Sequence, residues 1–500
     1  MKHIFILFLT LSMVLSLTAC GGSESYQTTA AATPTSAVPE ENSGFLIGYG
    51  VGDMTPTEAL PLQGTADIRL ASNGYATYIT ARCIAVTDED GTTAIMMAVD
   101  AVGINAYYSE IAAYVRDFYK VPVSNFTMSA LHQHSTPSPG HSAYPEATHR
   151  YYLLAIQAMK RAVDDAMKDR APATMHIATV ETDALSFSRH YIANDPAGSI
   201  VTDNHNDDIG RTYGYKGHET EADKEMRLVK FVREDKKDIV VVNFQGHPHM
   251  GMNSGVAHAD WPAVMREEVE KALDVHAIYF SGAGGNLNSH SRIKSEMEYA
   301  SDDFRSHGKK AAAYVIGAEG TYTQVNTGKV ISHFETNTYK VNHVNEAHLL
   351  ADAQRIDDLR KTDISAAYAA ANEHPEIFSI YHAQYIVIRS SLGETLELTI
   401  GAISLGDVAF TFMPYEMFDM NGMELRSGTI GHENYAADVQ QENPYAMTLI
   451  ATMTNGQEGY IPSALGYKNG GYSTDITRFA PGTGEELVTD YLEILQKIHS

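Results

Sequence analysis

The 500-residue chain is 44% hydrophobic and 20% charged. That is enough apolar material for a large core, and it excludes wholesale disorder. Its 36 Lys and Arg stand against 62 Asp and Glu, a formal charge of −26; a surface of that sign repels phosphate backbones, so no nucleic-acid partner is expected. The two cysteines, Cys20 and Cys83, lie in very different contexts, which excludes a disulfide-stapled scaffold.

Lys2 and His3 precede an apolar run over residues 4–17, shorter than the roughly twenty residues of a membrane-spanning helix, so it reads as an export signal. The run ends on Leu17-Thr18-Ala19-Cys20, which resembles a bacterial lipobox. That likeness implies a signal peptide over 1–19, a lipidated Cys20 and an extracytoplasmic protein anchored to the cell membrane through its lipid. Residues 20–43 are Gly, Ser, Thr, Ala, Pro and Glu with almost nothing large and apolar, the composition of a flexible tether. Residues 44–500 contain no second low-complexity stretch or repeat and read as one large domain.

Within that domain, apolar β-rich runs at 78–86, 94–99, 239–244, 277–280 and 408–412 predict buried strands, with Cys83 as core filler in the first. Helical periodicity marks 107–119, 149–168, 261–273, 346–359 and 485–498. Thr483 and Glu486 have capping-box spacing before the last helix. The preceding Pro481-Gly482-Thr483-Gly484 is a turn, not a phosphate loop, because no Lys-Ser/Thr follows. The class is α/β, mixed β-sheets sandwiched by helices.

The 22 histidines cluster at predicted strand ends. In Leu131-His132-Gln133-His134-Ser135 an extended backbone would project His132 and His134 from one face, a pair suited to a metal or an oxyanion. The strand at 239–244 ends in Gly246-His247-Pro248-His249, where a sheet fixes the position and a loop frees the imidazole; His247 is the better ligand candidate and His249 the second. The strand at 408–412 leads through Met413-Pro414-Tyr415 to Glu416, read as the start of a helix reaching Arg426, a dipole partner or a hard oxygen ligand. Residues 454–462 are by composition only a loop, and the acidic run 203–208 lacks an EF-hand pattern.

Taken in order, the segments resemble the N-terminal catalytic domain of the neutral/alkaline non-lysosomal ceramidases. The likeness runs through Gly48-Tyr49-Gly50-Val51-Gly52-Asp53, Tyr78-Ile79-Thr80-Ala81-Arg82, the His-x-His-Ser segment at 132–135, Phe187-Ser188-Arg189, Asp223-Lys224-Glu225-Met226, His247, Met413-Pro414-Tyr415-Glu416 and Gly459-Tyr460-Ile461. It implies a zinc hydrolase of linear amides acting on ceramide or a related N-acyl lipid. By the same likeness Zn²⁺ would be held by His132, His247, Glu416 and Tyr460, and His134 and Arg189 would orient and stabilise the reacting carbonyl. The chain departs from the family at two points. Gly285-Asn286-Leu287-Asn288-Ser289 puts Asn288 where the family has a serine, and the chain stops near Ser500 without the immunoglobulin-like domain that family ceramidases append. Two alternatives stay open: a zinc hydrolase of another small-molecule amide or ester, and a surface lipoprotein that binds a ligand without turnover. Oligomeric state is not readable from the sequence.

Overall fold

A strand covered on both faces has no polar side, so its sequence runs apolar without alternation. The computed structural model, which describes residues 44–499 apart from 65–68, 72–73, 203–206, 253, 300–302, 344–345 and 429–441, is built on such strands. The export segment, Cys20, the tether and most of the 203–208 acidic run lie outside the described residues.

The larger sheet contains β1 (Leu46–Asp53), β2 (Thr80–Thr87), β3 (Thr93–Val99), β4 (Phe126–Ala130), β5 (Ala171–Glu181), β6 (Glu225–Arg233), β7 (Ile239–Phe244), β8 (His276–Ser281) and β9 (Thr323–Val325). Its order is β8-β7-β6-β5-β1-β2-β3-β4, with β9 also on β5. The β3–β4 and β7–β8 pairs are parallel and the others antiparallel, a mixed sheet. Along β2 the period of two is intact although both faces are dry: Ala81, Cys83 and Ala85 enter one core cluster, Ile84 and Val86 the other. Cys83 is a buried free thiol, as its apolar setting predicts.

Helix α1 (Pro145–Lys168) lies on one face of this sheet, unusually close to β1. A Cβ on Gly48, Gly50 or Gly52 would stand 2.1, 2.0 or 1.9 Å from the carbonyl oxygens of Ala166, Ala162 and Ala158. Three alternate glycines therefore form a flat track for an alanine-lined helix. Helices α2 (Asp260–Leu273) and α3 (Phe304–Gly317) cover the other face, burying Trp261, Met265, Phe304 and Val315 against β6–β8.

The smaller sheet runs β10 (Val330–Lys340), β11 (Thr395–Leu405), β12 (Val408–Phe412) and β13 (Met447–Ala451), with β12 and β13 parallel. Between β10 and β11 the chain inserts α4 (Leu350–Thr362), α5 (Ile364–Asn372) and α6 (Ile380–Ser391), which share a small core of their own. After β12 comes α7 (Asp419–Ser427), and α8 (Thr483–Ile498) packs Leu487, Tyr491 and Leu495 on the sheet. The sheets are stitched together by Asn243 of β7, which donates to Ile450 O (2.7 Å) and accepts from Ile450 N (3.1 Å). Residues Ser43–Ser500 form one compact unit. No helix among the described residues is long and apolar enough to cross a membrane.

The five predicted strands lie within two residues of β2, β3, β7, β8 and β12, and the differences elsewhere are local. The 107–119 helix is Tyr108–Tyr114 followed by a wider π turn over Val115–Tyr119, closed by left-handed Lys120 (φ 59°). The capping box does not form: Gly482 is the N-cap, with φ 94°, and Thr483 is already in the first turn and buried. Glu416 does not open a helix; Glu416–Met417 is a short strand, because it pairs in parallel with Tyr460–Ile461, and the helix begins at Asp419.

Candidate metal centre

Side chains at strand ends are fixed by the sheet yet project into loops, where chemistry has room. His132 follows β4 by two residues. Its backbone is not extended but left-handed (φ 61°), because its N–H is drawn to Ala101 O at 2.9 Å. His132 and His134 therefore converge, with ring centroids 4.8 Å apart, through a turn and not through the common face of a strand. His247 enters from the loop after β7, and the ligand nitrogens of His132, His134 and His247 all lie within 4.8 Å of one another.

The outer nitrogens fix which atoms face inward. His132 Nδ1 lies 2.8 Å from Val102 O and His134 Nδ1 lies 2.9 Å from Gly64 O. A carbonyl only accepts, so both Nδ1 atoms carry the proton and both Nε2 lone pairs point into the site. His134 Nε2 and His247 Nε2 are 3.2 Å apart, and His132 Nε2 is 3.6 Å from Glu416 Oε1. Zinc ligands at 2.0–2.1 Å in a tetrahedron are separated by about 3.3–3.4 Å, so the spacing and the donor chemistry fit that ion. A cavity of about 20 Å³ lined by His132, His247 and Glu416 has room for a single small occupant, since a water needs about 10–15 Å³.

The parallel register sets Glu416 directly beside Tyr460. Burial pushes the Tyr460 phenol up, Glu416 pushes it further, and the Arg189 guanidinium opposes both. Arg189 lies over the rings of Tyr460 (5.6 Å) and Tyr472 (5.8 Å), and its Nη2 donates to Gly285 O and to Ser473 Oγ. Burial first, then neighbouring imidazoles, holds His134 and His247 well below the usual histidine range, so both are neutral and free to ligate.

Asn288 is buried on the two-residue strand Leu287–Asn288, opposite Phe187 and Ser188. Its side chain holds no hydrogen bond to another described residue. Its neighbour Ser289 is turned toward the site's support instead, donating to His247 O at 2.5 Å. His249 stands outside the tight group, its ring 4.6 Å from His247 and 5.1 Å from His290.

Several supports had no sequence signal because they span long separations. Gly64 reaches His134 across 70 residues and Ser473 reaches Arg189 across 284. Asn286 and Asp419 bracket the Gly285 loop reciprocally: Asn286 Nδ2 donates to Asp419 Oδ1 (2.7 Å), and Asp419 N donates to Asn286 Oδ1 (2.9 Å).

A scan against protein-family models and a search of curated proteins each find no match. Solved structures do match. A neutral ceramidase from Pseudomonas aeruginosa aligns at a TM-score of 0.64 and 13% identity, over 92% of this chain and 75% of that one. A ceramidase complexed with C2 aligns at 0.64 and 14% identity, over 91% and 75%. Nine-tenths of the chain thus has the fold of the neutral ceramidases.

Proposed function

We propose that this protein is a zinc-dependent hydrolase of linear amides, with ceramide or a related N-acyl lipid as substrate. The observation that carries the reading is the meeting of three imidazoles and the Glu416 carboxylate at the ends of strands from both sheets. His132, His247, Glu416 and Tyr460 would hold the ion. When bound, zinc would polarise the scissile carbonyl and supply a nucleophilic water near neutral pH.

The remaining steps belong to the chain itself. His134 has its Nδ1 proton committed to Gly64 O, so Nε2 is the atom open to a proton from the attacking water. Burial keeps the ring neutral, so its Nε2 lone pair is unprotonated and open. The proton then passes to the departing amine nitrogen, giving a carboxylic acid and a neutral amine, and the acid's own proton then moves to the amine to leave carboxylate and ammonium. Arg189, set against the rings of Tyr460 and Tyr472, presents a permanent cation to the charge that develops on the carbonyl oxygen. Asn288 at the serine's place favours direct attack by water, and it leaves another amide or ester as the second reading. The leader and Cys20 would carry the enzyme to an extracytoplasmic membrane surface, where such lipids are met.

The test is metal analysis of the purified full chain, together with release of fatty acid from a labelled N-acyl sphingosine. We expect one zinc per chain and hydrolysis, both abolished by His247→Ala with the fold retained. Zinc without release points to a different acyl substrate. A protein that holds no zinc, or a His247→Ala variant that still hydrolyses, ends the proposal.

A further inference from the structure

A second cavity, of about 410 Å³, adjoins the candidate centre. Its apolar wall is Tyr108, Val123, Phe334, Leu398, Phe412 and Pro414. Its charged lining is two carboxylates, Glu397 and Glu458, with no Lys or Arg side chain among the described lining residues. Glu458 is paired with Arg478, whereas Glu397 is exposed on β11 and has no ion pair with a described residue.

The cavity shares its partition with the metal site. Met453 lines the small cavity beside His132 and Glu416, and Thr454 and Asn455 line the larger one. Met453 and Asn455 are both left-handed (φ 53° and 59°). The turn is held there by Asn455 Oδ1 accepting from Met128 N (2.9 Å) and by the Ser129 and Thr454 hydroxyls 2.6 Å apart. Pro414 and Glu458, two residues before Glu416 and Tyr460, extend the same partition.

We propose that this cavity binds a long-chain primary amine, its alkyl chain on the apolar wall and its ammonium toward Glu397. The proposal rests on the amide-hydrolase reading, since cleavage of an N-acyl lipid releases such an amine. The volume falls in the range of ligand pockets, roughly 300–1,000 Å³. An alkyl ammonium with a pKa of about 10.4 is charged at neutral pH and complements Glu397, whereas the fatty carboxylate formed in the same reaction would face that like charge, Glu458 being paired with Arg478. The site thus distinguishes the two products by sign and holds one of them against the loop that carries Tyr460.

Calorimetric titration of the full chain with dodecylammonium, and separately with dodecanoate, both below their micellar concentrations, tests this. We expect one dodecylammonium per chain, bound at least tenfold more tightly than dodecanoate. Val123→Trp and Thr399→Trp fill the cavity from two different elements of its lining, and each should weaken amine binding tenfold or more with unchanged circular dichroism. Glu397→Gln should weaken it about two- to five-fold, the scale of one exposed ion pair. Equal affinity for dodecanoate overturns the proposal. So does amine binding that survives in whichever filled variant folds, because the amine then sits elsewhere. Hydrolysis is not read in these titrations, so a wild-type chain that binds amine yet cleaves no amide defeats the functional reading and not the site.

Discussion

Gly64→Ala isolates the placing of one imidazole. Gly64 has φ 95°, and a Cβ there would lie 2.6 Å from His134 Cβ and Cγ and 2.7 Å from His134 Cα. Carbon contacts settle at about 3.5–4.0 Å, so His134 must retreat by about 1 Å. The left-handed alanine costs about 1–2 kcal/mol, and loss of the bond to Gly64 O about 0.5–1.5 kcal/mol more. A shift of about 1 Å in a catalytic group lowers turnover by about 100-fold. Gly74→Ala is the control: its φ is 85° but no atom of the described residues lies within 4 Å of the added carbon, so it carries the backbone cost alone. Urea denaturation should place Gly74→Ala about 1–2 kcal/mol below the parent with activity intact. Gly64→Ala should fall about 1.5–3.5 kcal/mol and lose about 100-fold in kcat on an N-acyl lipid. Equal kcat in the two variants refutes the claim that this contact places His134.

The wholly buried His307 is pushed down to about 3 from 6.5, chiefly by burial, with Lys310, His290 and His249 adding to it. The unfolded chain takes up that proton near 6.5 and the folded chain only near 3, so stability is full above that window and falls as pH drops through it. The slope is about 1.4 kcal/mol per pH unit; His307→Gln should flatten urea-derived stability between pH 6 and 4.5 by about that much, and an unchanged slope would rule His307 out as its source. Ser473→Ala removes an acceptor of Arg189 and a donor to Gly285 O. A hydrogen bond to a charged group contributes about 1.5–3 kcal/mol, so kcat/KM should drop about 10- to 100-fold at unchanged metal content, with Ser473→Thr restoring it. Wild-type kinetics in Ser473→Ala would show that Arg189 holds its place without that hydroxyl. Gly50→Ala sets a carbon 2.0 Å from Ala162 O, against helix backbone that cannot rotate away. It should destabilise by about 1–3 kcal/mol or more, and a raised melting temperature would mean that α1 slides freely on β1.

The core was legible wherever one period dominated. β7, β8 and β12 are largely apolar runs, broken only by Asn243, by His276 and Ser281 at the ends of β8, and by Thr411, and Tyr491 and Leu495 repeat at helical spacing. The resemblance to neutral ceramidases holds at the level of the fold. His132, His134, His247 and Glu416 stood out because each follows a recognisable strand. Tyr460 did not, since the register that sets it beside Glu416 is a two-residue bridge with no pattern of its own. The capping box failed for a related reason: Gly482 in a left-handed turn ends the loop one residue earlier than the Thr-x-x-Glu spacing requires. The left-handed turn at His132 was equally invisible, because it is imposed by Ala101, a residue of another strand's end.

The four proposed ligands come from opposite ends of the polypeptide: His132 and His247 hang from the larger sheet, whereas Glu416 and Tyr460 follow strands of the smaller one. Chains emerge from the ribosome amino terminus first, so both imidazoles exist some 170 residues before the carboxylate and more than 200 before the phenol. An early fragment offers only a weak, partial grip on a cation. Tight capture would then wait for the carboxylate and the phenol to arrive and for Asn243 to lock onto Ile450, so a bound ion would mark a molecule whose two sheets have met.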